Sequence, residues 1–228
     1  MDGRSLRSAA AIVAAALAGA ALLLGSAGDR AIGDGLSPDT PRITGAERDA
    51  TARFSAGVPV ADRDWIVTAI AAARPEAQRL IAEVDGLVEY RVHRGDPLGV
   101  TRSTVGPDGA DFVISFDVGS LDGYRRQDRD VTVLHEYGHV IDLALVPKAT
   151  NDGLEADIPR TGACGNYGGV STGACAAPAE RFADTFAKWA LRGKVSAVGA
   201  GYEVASPPSL EGWGAPLAAL SIKLSTPR

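Results

Sequence analysis

Two histidines and a glutamate stand together in the segment His135-Glu136-Tyr137-Gly138-His139. The chain has three histidines in all, so two of them lie within these five residues. On a helix, positions i and i+4 lie one above the other, so both imidazoles can bind one Zn²⁺. The glutamate between them is then placed to accept a proton from a zinc-activated water. The pattern predicts metal-assisted hydrolysis, with a peptide bond as the expected substrate.

A catalytic zinc requires a third protein ligand and one open position for water. In one large class of HExxH enzymes, the third ligand is a histidine six residues after the second, with a glycine between them. Asp142 and Leu145 occupy those two positions here, which excludes that class. The best candidate is Glu180, which lies 41 residues after His139 and near the start of its own predicted helix. The alternative for Glu180 is a surface acid favoured by the helix N-terminus.

Two aspartates are candidates to support the zinc ligands. Asp184 follows Glu180 by four residues and therefore shares its helix face, so it can accept a hydrogen bond from the second ring nitrogen of a ligand histidine. Asp142 lies one turn beyond His139 and can act in the same way. A plain acid on the helix surface is the alternative for both. The third histidine, His93, is interpreted as a surface residue at a strand end.

Taken together, the segments 135–142 and 180–184 resemble the pattern HExGHxxD…ExFAE. That pattern is the signature of the gluzincin peptidases related to the catalytic domain of anthrax lethal factor. The resemblance covers about residues 128–192, and Asp184 stands where that family usually has glutamate. It implies a zincin-like fold with one Zn²⁺ per chain, held by His135, His139 and Glu180, and Glu136 as general base.

The resemblance also implies an oxyanion donor. The family uses a tyrosine from the loop before the third-ligand helix, and Tyr167 is the only tyrosine in that loop here. Such a donor is worth about 3–4 kcal/mol of transition-state stabilisation. A loop tyrosine that packs on the surface is the alternative interpretation of Tyr167.

The elements around these residues predict an α+β fold in one domain, residues 61–228. Hydrophobic periodicity and turn residues predict four helices and two strands. The helices are expected from Asp62 onward and at Pro75–Val84, Asp128–Leu145 and Pro178–Leu191, and the strands at Leu87–Val92 and Ala110–Val118. Residues 148–177 are predicted to be a long loop, and a short helix is expected at 215–222. We expect an extended peptide to add to strand 110–118 as a sheet edge.

The N-terminus has the pattern of an export signal. Arg4 and Arg7 precede an apolar run, and Gly25-Ser26-Ala27 supplies small residues for cleavage after Ala27. Residues 1–27 are therefore expected to be a cleaved signal peptide or an uncleaved anchor attached to the membrane. The anchor is an alternative because the uncharged stretch 8–28 is long enough to span a bilayer. Both interpretations place the domain outside the cytoplasm, either secreted or in the cell envelope. Residues 28–60 are interpreted as a linker or lead-in.

The two cysteines, Cys164 and Cys175, agree with export. An even number of cysteines in an exported protein indicates a disulfide, which would close a short glycine-rich loop. The alternative is a pair of zinc ligands, but thiolates oxidise readily outside the cytoplasm.

Composition narrows the function classes further. The chain has 228 residues, 46% of them hydrophobic, and a formal net charge of −5 with no basic stripe, so nucleic acid is excluded as a partner. We therefore predict an exported zinc endopeptidase that acts on protein or peptide substrates. The rival hypothesis is a zinc-binding interaction module of the envelope with weak or no catalysis. The presence of Glu136 favours the enzyme, because a structural zinc needs no general base.

Overall fold

The computed structural model describes residues 53–93, 99–106, 109–117, 126–167, 170–195 and 203–225. Side chains are described in these ranges except at 104–106, 109–110, 126–128 and 167. The predicted signal segment 1–27 and the part of the lead-in up to residue 52 lie outside them. Within these ranges, no helix is both long and apolar enough to cross a membrane.

The central element is a four-stranded mixed sheet with the order β1-β2-β4-β3. Its strands are β1 (Arg53–Phe54), β2 (Val88–His93), β3 (Gly99–Gly106) and β4 (Gly109–Asp117). The first two pairings, β1 with β2 and β2 with β4, are parallel, and β3 pairs antiparallel with β4. Alternate residues of β4, Phe112, Ile114 and Phe116, are buried, which is the period expected of a strand with one face on the core.

The predicted strand 110–118 is confirmed as β4 up to Asp117, but its expected position at the sheet edge was wrong. Hydrogen-bonded neighbours flank β4 on both sides, and β3 forms the edge beside it. Strand β3 was not predicted, because its residues Val100-Thr101-Arg102-Ser103 form no apolar run. Such a polar composition is usual for an edge strand, where one side of the backbone is not paired.

The described part of the chain also contains six helices. They are α1 (Val60–Ala72), α2 (Pro75–Val84), α3 (Arg126–Ala144), α4 (Lys148–Asp157), α5 (Pro178–Ala190) and α6 (Leu210–Ser225). Proline stands at the first position of α2 and α5, where its missing N–H costs no hydrogen bond. The α+β class is therefore confirmed.

Two regions are more ordered than predicted. Residues 148–177 hold α4 and a hairpin of β5 (Cys164–Tyr167) and β6 (Val170–Gly173) instead of one long loop. The C-terminal helix has 16 residues, about twice the predicted length. Both regions gain order from tertiary contact: Leu154 of α4 is buried, and Trp213 of α6 donates a hydrogen bond to the Leu154 carbonyl.

Helices α3 and α5 lie side by side in the interior. Every residue of α5 from Arg181 to Ala190 is buried, as is the stretch of α3 from Val133 to Ile141. A helix buried on all sides needs an internal partner for each polar side chain. Polar residues of the two helices contact each other at the candidate site.

Candidate metal centre

Three predicted ligands converge where α3 meets the first turn of α5. Nε2 of His135 lies 3.0 Å from Oε2 of Glu180, and Nε2 of His139 lies 3.3 Å from the same oxygen. The candidate ligand atoms of the three residues all lie within 4.8 Å of one another. Both histidines are buried, and the Glu180 side chain is 17% exposed. The structure thus brings together residues that stand 41 positions apart in the sequence.

These distances fit a tetrahedral zinc site. Zn–N and Zn–O bonds of about 2.0–2.2 Å at tetrahedral angles place ligand atoms about 3.3 Å apart. The measured separations of 3.0 and 3.3 Å are close to that value. Two imidazoles and one carboxylate are also a donor set that catalytic zinc sites use, with the fourth position left for water. The residues present can therefore hold a metal ion of this kind.

Gly138, between the two histidines, explains how α5 comes so close. A Cβ at this position would lie 2.6 Å from Cα and 3.0 Å from Cβ of Ala183. A side chain there would push the helices apart. Since Glu180 lies in the first turn of the helix that carries Ala183, the missing side chain at 138 allows the carboxylate to reach the imidazoles.

Arg181, next to Glu180, anchors α5 to α4 and to the segment that follows α4. Its side chain is fully buried; Nε donates to Oε2 of Glu155 at 3.3 Å, and Nη2 donates to the Ile158 carbonyl at 2.6 Å. These contacts join α5 to α4 and to the segment after it. The start of α5 is therefore held by close helix packing and by a buried ion pair.

Glu136 lies between the two ligands in sequence and is 5% exposed. Thr101 of β3 donates a hydrogen bond from its hydroxyl to Oε2 of Glu136 at 2.6 Å. Gly99 lies against the same carboxylate, since a Cβ there would be 2.5 Å from Oε1. Neither Thr101 nor Gly99 was predicted, because β3 carries no motif. The position of the strand beside α3 identifies both residues.

The electrostatics of the site couple a histidine to the carboxylate. Burial alone would lower the pKa of His135, but the hydrogen bond to Glu180 and the surrounding carboxylates outweigh it, so the pKa lies above its usual value. Burial alone would raise the pKa of Glu180, but hydrogen bonds from His135 and His139 hold it well below its usual range. The Glu180 carboxylate therefore favours positive charge on the neighbouring His135 imidazole.

Asp184 lies one turn beyond Glu180 and is fully buried. Its Oδ2 forms an ion pair with Nζ of Lys188 at 2.5 Å, and Lys188 also donates a hydrogen bond to the Val204 carbonyl. Burial raises the pKa of Asp184 despite the attraction of Lys188, and the Asp184 charge in turn favours the protonated form of His135. The surface alternative for Asp184 is wrong, whereas its hydrogen bond to a ligand histidine stays a prediction. Lys188 was not anticipated.

Asp142 is partly buried and accepts a hydrogen bond from the side-chain amide of Asn151 on α4. Burial raises its pKa to about 6, although Asn151 and the nearby His139 act in the opposite direction. Its predicted support of a ligand histidine stays a prediction.

Tyr137 points away from the metal ligands. Its hydroxyl donates to Oδ1 of Asp85 at 2.9 Å and also contacts the hydroxyl of Tyr90 on β2. Burial raises the pKa of Asp85, which the hydrogen bond from Tyr90 partly offsets. These contacts join α3 to β2 and to the segment after α2. They therefore restrict the rotation of the helix that carries the two histidines.

The remaining candidates have different outcomes. Cys164 and Cys175 form a disulfide across the β5–β6 hairpin, which confirms that prediction and excludes them as zinc ligands. The side chain of Tyr167 lies outside the described part of the structure, so its role as oxyanion donor stays a prediction. His93 ends β2 and is partly buried; among the described residues, it belongs to no metal-ligand group.

Comparisons of the chain with protein-family models, curated proteins and solved structures found no match.

Proposed function

We propose that this protein is an exported zinc-dependent endopeptidase in which His135, His139 and Glu180 hold the metal. One observation carries the proposal: two imidazoles and a carboxylate meet at zinc-ligand distances, with a buried glutamate between the histidines in sequence. A structural metal site needs no such glutamate. The zincin-like fold and the kinship to gluzincin peptidases are part of the same proposal and rest on the motif.

When bound, Zn²⁺ would lower the pKa of a water molecule and polarise the carbonyl of the scissile bond. The chain's own acid–base group is Glu136. Its carboxylate accepts a proton as the water oxygen forms a bond to the carbonyl carbon. The same carboxyl group then gives that proton to the amine nitrogen as the C–N bond breaks, so the base is restored. Tyr167 is the proposed hydrogen-bond donor to the oxyanion.

The edge strand β3 is the proposed binding surface for an extended peptide. Its outer side has no strand neighbour in the described sheet, so backbone groups there can pair with a substrate strand. Thr101 of this strand contacts Glu136 directly, so a peptide bound along β3 would lie beside the general base. This placement replaces the earlier expectation that β4 would bind the peptide.

Export is proposed from two independent features. The disulfide Cys164–Cys175 is typical of proteins that fold outside the reducing cytoplasm. The N-terminal apolar run has the composition of a signal peptide or anchor. Mass spectrometry of the protein from culture supernatant and from membranes would show which form exists and whether cleavage follows Ala27.

The first experiment measures zinc content and the cleavage of an unbiased peptide library by the purified protein and by its Glu136→Gln variant. We expect one zinc per chain in both proteins and cleavage by the wild type alone. Zinc without cleavage in either protein would favour the interaction module of the envelope. A fully active Gln variant would exclude Glu136 as the base, and the absence of zinc would refute the metal site.

A further inference from the structure

We propose that two residues of the edge strand, Thr101 and Gly99, position the Glu136 carboxylate for proton transfer. The inference rests on the proposed function and extends it, since it assigns a task to a strand that carries no recognised motif. Both are positioning residues: they act on Glu136 and not on the substrate.

Thr101 anchors one oxygen of the carboxylate. The distance of 2.6 Å from its Oγ1 to Oε2 of Glu136 is that of a strong hydrogen bond between a hydroxyl and a charged carboxylate. The hydroxyl also lies 3.2 Å from the Glu136 backbone carbonyl. Thr101 is 4% exposed, so bulk water does not readily replace this contact. Oε2 is thereby held in place from outside the helix.

Gly99 makes room for the other oxygen. It lies two residues before Thr101 and therefore on the same face of β3. A Cβ at 99 would be 2.5 Å from Oε1 and 3.1 Å from Cδ of Glu136. The carboxylate therefore occupies the space that any side chain at 99 would fill. With Oε2 bonded to Thr101, Oε1 is the oxygen that accepts the proton.

A fixed carboxylate matters because a glutamate side chain has three rotatable bonds. The α3 backbone fixes Cα of Glu136 but leaves the carboxylate free to move among rotamers. Misplacement of a reacting group by about 1 Å can reduce the rate about 100-fold. The contacts of Thr101 and Gly99 restrict these rotamers before substrate binds. The strand that makes them is also the one proposed to bind the peptide.

Kinetic measurements separate positioning from mere support of the fold. The variants are Thr101→Val, which keeps the shape but removes the hydroxyl, and Thr101→Ser, which keeps the hydroxyl. Thr68→Val is the matched control, because it makes the same change on α1, where the Thr68 hydroxyl donates a local hydrogen bond to the Asp64 carbonyl at 2.6 Å. Activity is measured on the best-cleaved member of a fluorescence-quenched peptide library, together with zinc content.

We expect Thr101→Val to lower kcat about 10–100-fold, in line with the effect of a displaced base, while KM and zinc content stay near the wild-type values. Thr101→Ser should restore most of kcat, and Thr68→Val should behave as wild type. The proposal is overturned if Thr101→Val keeps the wild-type kcat, or if Thr101→Ser is as impaired as Thr101→Val.

A second measurement needs no activity and so tests the contact even if the proposed function fails. Urea unfolding of the metal-free protein is followed for Thr101→Val and Gly99→Ala, each with Glu136 intact and in a Glu136→Ala background. Both changes should lower the unfolding midpoint when Glu136 is present, and each should lower it by less than half as much without it. Equal shifts in the two backgrounds would show that the strand does not act on this carboxylate. A wild type that cleaves no peptide refutes the endopeptidase alone.

Discussion

Gly138 and Ala183 are in contact where α3 and α5 cross, so closely that a Cβ on the glycine would lie 2.6 Å from Cα of the alanine. Gly138 lies between the two histidines in the sequence of α3, and Ala183 follows Glu180, the proposed third ligand, by three residues on α5. The candidate metal centre therefore depends on the spacing of two helices as well as on its three candidate ligands.

Gly138→Ala should weaken both folding and zinc binding. The added methyl group must displace the backbone of α5, and such overpacking costs about 1–3 kcal/mol of unfolding free energy. Zinc affinity should fall as well, because Glu180 moves with α5. The matched control is Gly153→Ala in α4, where nothing lies within 4 Å of the new methyl group; this change should be neutral or slightly stabilising. Equal effects of the two variants in urea unfolding would contradict the packing argument.

Glu180→Gln should remove most of the zinc. The amide is neutral and a poor zinc ligand. Loss of a residue that only hydrogen-bonds to a zinc ligand lowers zinc affinity about 10–100-fold, and loss of the ligand itself should lower it more. Competition with a fluorescent zinc chelator measures the change. Glu203→Gln serves as the control because Glu203 is exposed. If Glu180→Gln kept one tightly bound zinc, the third ligand would have to be another residue.

The stabilising effect of zinc should increase as pH rises. In the metal-free protein, the raised pKa of His135 contributes stability that is complete below its ordinary pKa of about 6.5 and is lost as pH rises through the raised value. The lowered pKa of Glu180 contributes stability above about 4.5, which is lost as pH falls. The ion pair thus stabilises the metal-free protein mainly between these limits.

Zinc requires an unprotonated imidazole, so it competes with the proton on His135. The increase in Tm on adding zinc should accordingly be larger at pH 8 than at pH 5.5. Thermal unfolding with and without zinc at each pH measures this difference and cancels the contribution of groups remote from the metal. An increase in Tm that does not depend on pH would argue against histidine ligands.

Lys188→Met should be strongly destabilising. It removes the ion-pair partner of Asp184, whose side chain is 0% exposed, and breaking a buried pair from one side costs about 3–5 kcal/mol. Lys148→Met is the matched control. Lys148 and Asp152 also form an i,i+4 ion pair, at 2.7 Å, but both side chains are largely exposed, so its loss should cost about 0.5 kcal/mol or less. Urea unfolding compares the two; similar losses would mean that Asp184 is neutral in the folded protein.

The parts of the site that depend on local spacing could be predicted from sequence. His135 and His139 share a helix face because any α-helix places positions i and i+4 together. Pro75 and Pro178 stand at the starts of their helices as expected. The disulfide followed from the number of cysteines and from the predicted export. Each of these inferences uses a rule that acts over a few residues or on composition alone.

The tertiary structure decided which distant residues meet. The sequence offered Glu180 as a candidate, but its distance from the histidines depends on the α3–α5 contact at Gly138. The roles of Thr101 and Gly99 could not be inferred, because β3 has no apolar pattern and its place at the sheet edge depends on pairing with β4. Lys188 likewise gains importance only through burial. Strand order, helix spacing and burial arise from packing of the whole chain, and no local pattern of residues encodes them.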